Sequence, residues 1–153
     1  MDIRIQRTTK GEVSELLKIQ KEVFQADLQR YKDYESSPAT ESHDSFIQRI
    51  NESFHYTIFI EGELAGGINI WKITSTHMGL FRIFLKEHFQ NRGYGSEIMR
   101  LVEHQFPEAQ KWSLNTPKDN VRNRYFYERI GYQKIGELQV NDKLILIEYE
   151  KEF

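Results

Sequence analysis

Gly79-Leu80-Phe81-Arg82-Ile83-Phe84-Leu85 leads into Gln90-Asn91-Arg92-Gly93-Tyr94-Gly95, and beyond that loop come Ile98, Met99, Val102 and Phe106. The first run is β-rich and reads as a strand. The last four residues recur at helical spacing, and Pro107 helps to end the helix they mark. Between strand and helix, Gly93 and Gly95 let the backbone turn sharply and approach a ligand with no Cβ in the way. A helix beginning near Gly95 presents unpaired N–H groups and a partial positive charge at its start. Those features make a seat for phosphate or pyrophosphate, to which Arg92 can add charge-assisted hydrogen bonds. Spacing alone leaves a second reading open, a turn that serves only the fold. Two better-known phosphate loops do not fit. The P-loop needs a lysine that is missing here, and the dinucleotide fingerprint belongs near the first strand.

Upstream, Ile3 and Ile5 alternate with charged residues as in a short strand. After a break at Gly11, Val13, Leu16, Leu17, Val23, Phe24 and Leu28 make an amphipathic helix. Residues 31–44 are polar and read as an irregular loop, and Phe46, Ile47, Ile50 and Phe54 mark a second helix. Residues 56–60 and 64–73, around Glu61-Gly62-Glu63, make a hairpin. Downstream, Trp112-Ser113-Leu114-Asn115 is a short strand. Thr116 as N-cap, Pro117 at the first helical position and Asp119 in an approximate capping box start a helix. It runs to Ile130, with Gly131 as its C′ residue. Two last strands, near 132–139 and 143–149, flank Asn141-Asp142. The order β-α-α-β-β-β-α-β-α-β-β predicts one α/β domain over residues 1–153 with a mixed sheet.

The composition is that of an ordinary globular chain: 153 residues, 39% hydrophobic and 29% charged. A net charge of -2 argues against a general nucleic-acid binder. With no cysteine there is no disulfide framework, thiolate metal site or cysteine nucleophile, and no metal is expected. The longest strongly apolar run, Leu144-Ile145-Leu146-Ile147, falls far short of the roughly 20 residues that span a bilayer. The start has no apolar stretch of signal-peptide length. A cytoplasmic protein without membrane contact is expected.

On the helix after Asn115, Asn120, Asn123 and Tyr127 are three and four residues apart and share one face. Two amides and a phenol beside an apolar face suit hydrogen bonding to a ligand; a solvated face edged by a tyrosine is the other reading.

Together the two segments resemble the GNAT family of N-acetyltransferases. Its acetyl-CoA loop, Gln/Arg-x-x-Gly-x-Gly/Ala, is matched by Gln90 to Gly95. Members often carry Asn-x-x-Ala-x-x-x-Tyr-x-x-x-Gly-Phe downstream. Here that is Asn120-x-x-Asn123-x-x-x-Tyr127-x-x-x-Gly131-Tyr132, with Asn123 for the alanine and Tyr132 for the phenylalanine. The resemblance implies a GNAT-like α/β fold, with a mostly antiparallel central sheet flanked by about four helices. It implies acetyl-CoA as cofactor and acetyl transfer to a primary amine of a small molecule or peptide, by direct attack in a ternary complex. A homodimer stays open.

It also implies roles. Backbone groups of Ile83, Phe84 and Leu85 pair with the pantetheine arm and polarise the thioester carbonyl. Amides of Asn91, Arg92, Gly93, Tyr94, Gly95 and Ser96, after Gln90, hold the pyrophosphate. Asn120 contacts the cofactor beside Asn123, and Tyr127 gives a proton to the departing thiolate. A phenol with a pKa near 10 is protonated at pH 7 and suits that task. Some relatives carry a base, a glutamate early on the strand before the loop, at a position that Gly79 occupies here. His77, Glu35 and Asp33 are the substitutes in reach of the reading. The acidic, aromatic segment with Asp27, Tyr31, Asp33, Tyr34, Glu35, Glu41 and Asp44 corresponds to the border of the acceptor cleft, where it favours a cationic amine. Trp71 is expected in the core. A CoA-binding sensor without turnover is the alternative function.

Overall fold

The computed structural model describes residues 2–32 and 37–153. Asp33, Tyr34 and Glu35, three of the acceptor-cleft candidates, lie outside the described residues. The chain opens with β1 (Ile3–Arg7), α1 (Val13–Tyr31) and α2 (His43–Glu52). The meander β2 (Phe54–Ile60), β3 (Glu63–Thr74) and β4 (His77–Leu85) follows. After it come α3 (Tyr94–Gln105), β5 (Lys111–Pro117), α4 (Val121–Arg129), β6 (Gln133–Gln139) and β7 (Ile145–Glu152). Among the described residues, seven strands form one sheet in the order β1-β2-β3-β4-β5-β7-β6. All neighbours are antiparallel except β4 and β5. The predicted mixed, mostly antiparallel sheet with about four helices is what forms, with four α-helices among the described residues.

A bulge decides which side chains of β4 face which helices. Leu80 pairs with Ile70 and Arg82 with Asn69, so Phe81 is left over. One extra residue flips the alternation beyond it. Met78 and Leu80 before the bulge, and Ile83 and Leu85 after it, therefore pack on the same side, with Ile98, Met99 and Val102 of α3 and Tyr127 of α4. Phe84 points the other way, among Val13, Leu16, Leu17 and Ile19 of α1 and Phe46 of α2. Helices thus cover both faces of the sheet, and each fully buried Leu, Ile or Phe contributes about 1.5–3 kcal/mol.

Local chemistry sets the helix ends. Gly93 takes φ 83 as the N-cap of α3, and Lys32 ends α1 with φ 55. The predicted start of α4 is corrected. Thr116 and Pro117 belong to β5, where they pair with Ile147 and Leu146, and Asn120 is the N-cap, accepting from the Asn123 amide at 3.1 Å. The ladder to β7 keeps Thr116 and Pro117 extended, so the helix starts only after Asn120, whose side-chain oxygen caps it. Gly131 does follow the helix with φ 108, as its C′ position requires. Residues 31–44 are less irregular than expected: Tyr31 closes α1, Pro38–Thr40 forms a short 3-10 turn, and α2 begins at His43. Phe54 belongs to β2 and not to the second helix.

Candidate active site

β4 and β5 pair only from His77↔Lys111 to Leu80↔Leu114. Past that point β4 stays with β3 as far as Leu85, and β5 stays with β7 as far as Pro117. Beyond Leu80 and Leu114 the two strands therefore part, each following its outer neighbour. A cavity of about 690 Å³ lies at the divergence. Ile83 lines it from β4, Leu114 to Pro117 from β5, and Asn120, Asn123 and Tyr127 from the α4 segment. Phe24, Asp27, Leu28 and Tyr31 line it from α1, and Val140, Leu144 and Leu146 from the β6–β7 hairpin. On the side facing β5, residues 81–85 have no strand partner, so backbone donors and acceptors border the cavity.

Tyr127 is buried, at 7% exposure, and faces this cavity. Its ring packs on Phe126 and Tyr132. Its hydroxyl has no hydrogen-bond partner among the described residues, and burial pushes the phenol up to about 12. The group is therefore a neutral donor over the whole physiological range. Asn123 donates to Thr116 Oγ1 at 3.3 Å. The Asn120 carbonyl is taken by the helix cap, which leaves its amide NH₂ for a ligand.

The glycine loop sits outside the cavity lining, beyond β4 and the turn Glu87–Phe89. Gln90 donates to the Leu85 carbonyl at 2.9 Å and so fastens the loop to the end of β4. Asn91 takes φ 61 and Gly93 φ 83, which turns the chain into the first amides of α3, including those of Tyr94, Gly95 and Ser96. Arg92 is exposed. The two glycines do different work. Nothing lies within 4 Å of a Cβ on Gly93, so its backbone angle is what matters. A Cβ on Gly95 would stand 3.0 Å from the Phe126 ring, so there the missing side chain lets α4 pack close. Sequence reasoning missed Arg122, which reaches from α4 to donate to Asn91 Oδ1 at 2.6 Å and brings a second guanidinium to the loop. No sequence signal sets Arg122 apart from its neighbours Arg124 and Arg129.

Residues 14–132 match the profile of the Acetyltransferase (GNAT) family. The chain belongs to the GNAT acetyltransferase family. A probable spermine N(1)-acetyltransferase of Bacillus subtilis subsp. natto is 27% identical over 71 residues, 44% of this chain and 47% of that protein. The aligned stretch thus spans about half the length of that curated relative. The crystal structure of the PaiA N-acetyltransferase of Thermoplasma acidophilum in complex with coenzyme A superposes with a TM-score of 0.75. It is 17% identical over 100% of both chains. A GNAT family acetyltransferase of Elizabethkingia anophelis with acetyl-CoA bound gives 0.69 at 16% identity, over 99% of this chain and 98% of that one.

Other candidates of this GNAT chain fall in and out of the site. Gly79, which stands at the candidate base position, lines the cavity and offers no side chain to it. His77 does not line it; its Nε2 lies 2.5 Å from Ser113 Oγ, and the ring borders a separate small pocket with Thr74, Lys111 and Phe153. Glu41 does not line the cavity either. Its carboxylate is buried and neutralised by Arg49 at 2.5 Å and Arg82 at 2.8 Å, with Gln20 at 3.0 Å. The sequence grouped it with the acceptor acids because its basic partners lie 8 and 41 residues away. Asp44 is exposed in the first turn of α2, where it favours the helix dipole. Trp71 corrects the expectation of a core residue: it is 36% exposed, lines the cavity and stacks edge-on against Phe81 at 6.0 Å.

Proposed function

We propose that the chain is an acetyl-CoA-dependent N-acetyltransferase that moves an acetyl group onto a primary amine, by direct attack while both substrates are bound. The observation that carries this reading is the Tyr127 hydroxyl, unpartnered among the described residues and facing a cavity bordered by the free edge of β4. A phenol that opens on cavity space without a protein partner is free to donate to a ligand there.

The residues present fit the cofactor. The free edge of 81–85 matches an amide-bearing arm, and the αL turn at Gly93 opens the first amides of the twelve-residue helix α3 to a pyrophosphate. Arg92 and Arg122 add positive charge at that loop. Acetyl-CoA supplies the activated thioester. In this assignment backbone amides of Ile83 to Leu85 hold its carbonyl and stabilise the charge that develops on oxygen, about 2.7–4 kcal/mol for one such donor. Asn120 holds the arm from the other side of the divergence. Tyr127 donates its proton to the sulfur as the carbon–sulfur bond breaks, a step worth roughly 10²–10⁴ in rate. The amine nitrogen sheds two protons as its bond to the acetyl carbon forms. One balances the proton given to sulfur by Tyr127, and the other leaves to solvent. The probable spermine acetyltransferase among the relatives supports an amine acceptor.

Thermal unfolding with and without acetyl-CoA tests this reading, with ATP and NAD as controls. A ligand at 100 times its dissociation constant adds about 2.7 kcal/mol, a rise of several degrees for a chain of this size. A shift with acetyl-CoA alone, followed by thiol release that depends on added amine, is the expected result. Binding without amine-dependent thiol release would identify a CoA sensor. No shift with any CoA ester would reduce the loop to a structural turn.

A further inference from the structure

On the α1 stripe that faces the cavity, Phe24, Asp27, Leu28 and Tyr31 follow one another at i, i+3, i+4 and i+7. Three of the four are apolar or aromatic, as an inward stripe should be, and Asp27 breaks the pattern. Its carboxylate is half-buried and has no hydrogen bond or ion pair among the described residues. The nearby Arg30 turns instead to Asp119, at 2.8 Å. Burial raises the pKa of Asp27, Arg30 lowers it and Asp119 raises it. Such a group costs stability in an apolar wall, and rule-breaking of that kind belongs to binding sites.

The walls that α1, β3 and β4 give this cavity are largely aromatic and aliphatic, while Ser113, Asn115, Thr116, Asn120 and Asn123 line it from β5 and the α4 segment. Phe24, Leu28, Trp71, Phe81 and Val140 present side chains to it, with Phe81 48% and Trp71 36% exposed. Asp27 is the one acidic residue among the described residues of the lining, and its one cation, Arg82, is already tied to Glu41. Among the described residues of the lining a polycation finds a single counter-charge, and its remaining ammonium groups lose hydration against apolar walls. A molecule with one ammonium group and an apolar body loses nothing comparable, since its body meets Trp71, Phe81 and Phe24.

Building on the acetyltransferase reading above, we propose that Asp27 is the seat of the acceptor's ammonium group and that the acceptor is a monoamine with an aromatic or alkyl body, an arylalkylamine in class, rather than a polyamine. Asp27 then acts as a specificity-determining residue. It draws the ammonium group into the cavity while the aromatic walls select the body, and the nitrogen leaves the carboxylate as it sheds its protons and attacks.

The test measures acetyl-CoA-dependent thiol release with 2-phenylethylamine, hexylamine and spermidine, for the parent chain and for Asp27→Asn and Asp27→Leu. For the parent, kcat/KM for 2-phenylethylamine is expected to exceed that for spermidine by about tenfold or more, the size of one well-made charge or burial contact. Asp27→Asn is expected to raise the KM for 2-phenylethylamine by about tenfold or more, with a much smaller change in kcat and an unchanged thermal shift with acetyl-CoA. A carboxylate kept for binding and not for folding also predicts that Asp27→Leu unfolds at a temperature equal to or above that of the parent. Equal or better use of spermidine overturns the inference. So does an unchanged amine KM in Asp27→Asn, or no turnover of either monoamine while acetyl-CoA still shifts the melting temperature. Loss of that shift in the parent chain would instead remove the acetyltransferase reading itself, and this inference with it.

Discussion

Tyr31, the last residue of α1, donates its hydroxyl to Asp119 in the turn before α4, and the same carboxylate takes Arg30 at 2.8 Å. The Tyr31 carbonyl in turn accepts from Asn141 Nδ2 at 3.1 Å, in the turn between β6 and β7. One residue that lines the cavity therefore ties three separate segments together. Burial and the Asp119 carboxylate hold the phenol well above its ordinary range, so it stays a donor.

Tyr31→Phe removes the hydroxyl and keeps the ring and carbonyl. A hydrogen bond to a charged group is worth about 1.5–3 kcal/mol, and the low end applies because Asp119 keeps Arg30. Denaturant unfolding should show that loss. In steady-state kinetics the KM of the amine should rise while that of acetyl-CoA stays put, because Tyr31 lines the α1 side of the cavity and not the β4 edge. A change confined to acetyl-CoA would place the clamp on the wrong substrate.

Tyr127→Phe should lower kcat by roughly 10²–10⁴ with nearly unchanged acetyl-CoA affinity. The hydroxyl has no protein partner among the described residues, so the variant should unfold at the same temperature as the parent or higher. Because burial holds the phenol up to about 12, no loss of rate between pH 7 and pH 10 should trace to its ionisation. Parent-like turnover in the variant would remove the proton-donor role.

Tyr132 stands where the family motif often has phenylalanine, and its hydroxyl is buried without a partner. The ring itself is well used, 5.8 Å from the Tyr127 ring and 1% exposed. Tyr132→Phe keeps that packing and removes a desolvated hydroxyl, a penalty of about 1–3 kcal/mol. The variant should therefore be more stable than the parent, which differential scanning calorimetry would register as a rise of a few degrees. A lower melting temperature would mean that the hydroxyl is in use.

How far the sequence revealed this arrangement depends on the range of the forces involved. The strand-loop-helix unit 79–106 was legible because its signals are local: a β-rich run, two glycines and a helical period. The start of α4 was misread because Thr116-Pro117 is a sound capping signal on its own. Its pairing with Ile147 and Leu146 is a contact with residues about 30 positions away. Trp71 was assigned to the core for a similar reason. Composition favours burial of a tryptophan, and only the tertiary fold places Trp71 on a cavity wall beside Phe81, where it stays half-open. Glu41 looked like a free acid because Arg49 and Arg82 arrive through the tertiary fold. Asp27 shows the opposite case, since its break in an apolar helical stripe is visible in the sequence once the inward face is known.

Acid should destabilise the protein in two stages, through Glu41 and His55. His55 is buried, with Thr8 Oγ1 2.7 Å from its Nδ1 and the Phe46 ring edge-on at 5.3 Å. Burial, then the charge of Arg49, lowers it from 6.5 to about 4, with Arg82 and Arg7 adding to the effect and Glu41 opposing it. The unfolded chain therefore binds a proton at His55 at a pH where the folded chain does not, so stability falls as pH drops from about 6.5 towards 4. For Glu41 burial would raise the carboxyl, but hydrogen bonds from Arg49 and Gln20 and the charges of Arg82 and Arg49 outweigh it and bring it from 4.5 to about 2. Its contribution is complete above pH 4.5 and is lost as pH falls towards 2. Urea unfolding at pH 7, 5 and 3.5 should show both losses. His55→Asn should flatten the curve between pH 6.5 and 4 and leave the lower stage in place. Glu41→Gln should cost about 3–5 kcal/mol at pH 7, because it leaves Arg82, only 10% exposed, without its counter-charge. The same variant should lose less than the parent on going below pH 4.5, since the group that titrates there is gone. A parent-like acid limb in Glu41→Gln would assign that stage to other carboxylates.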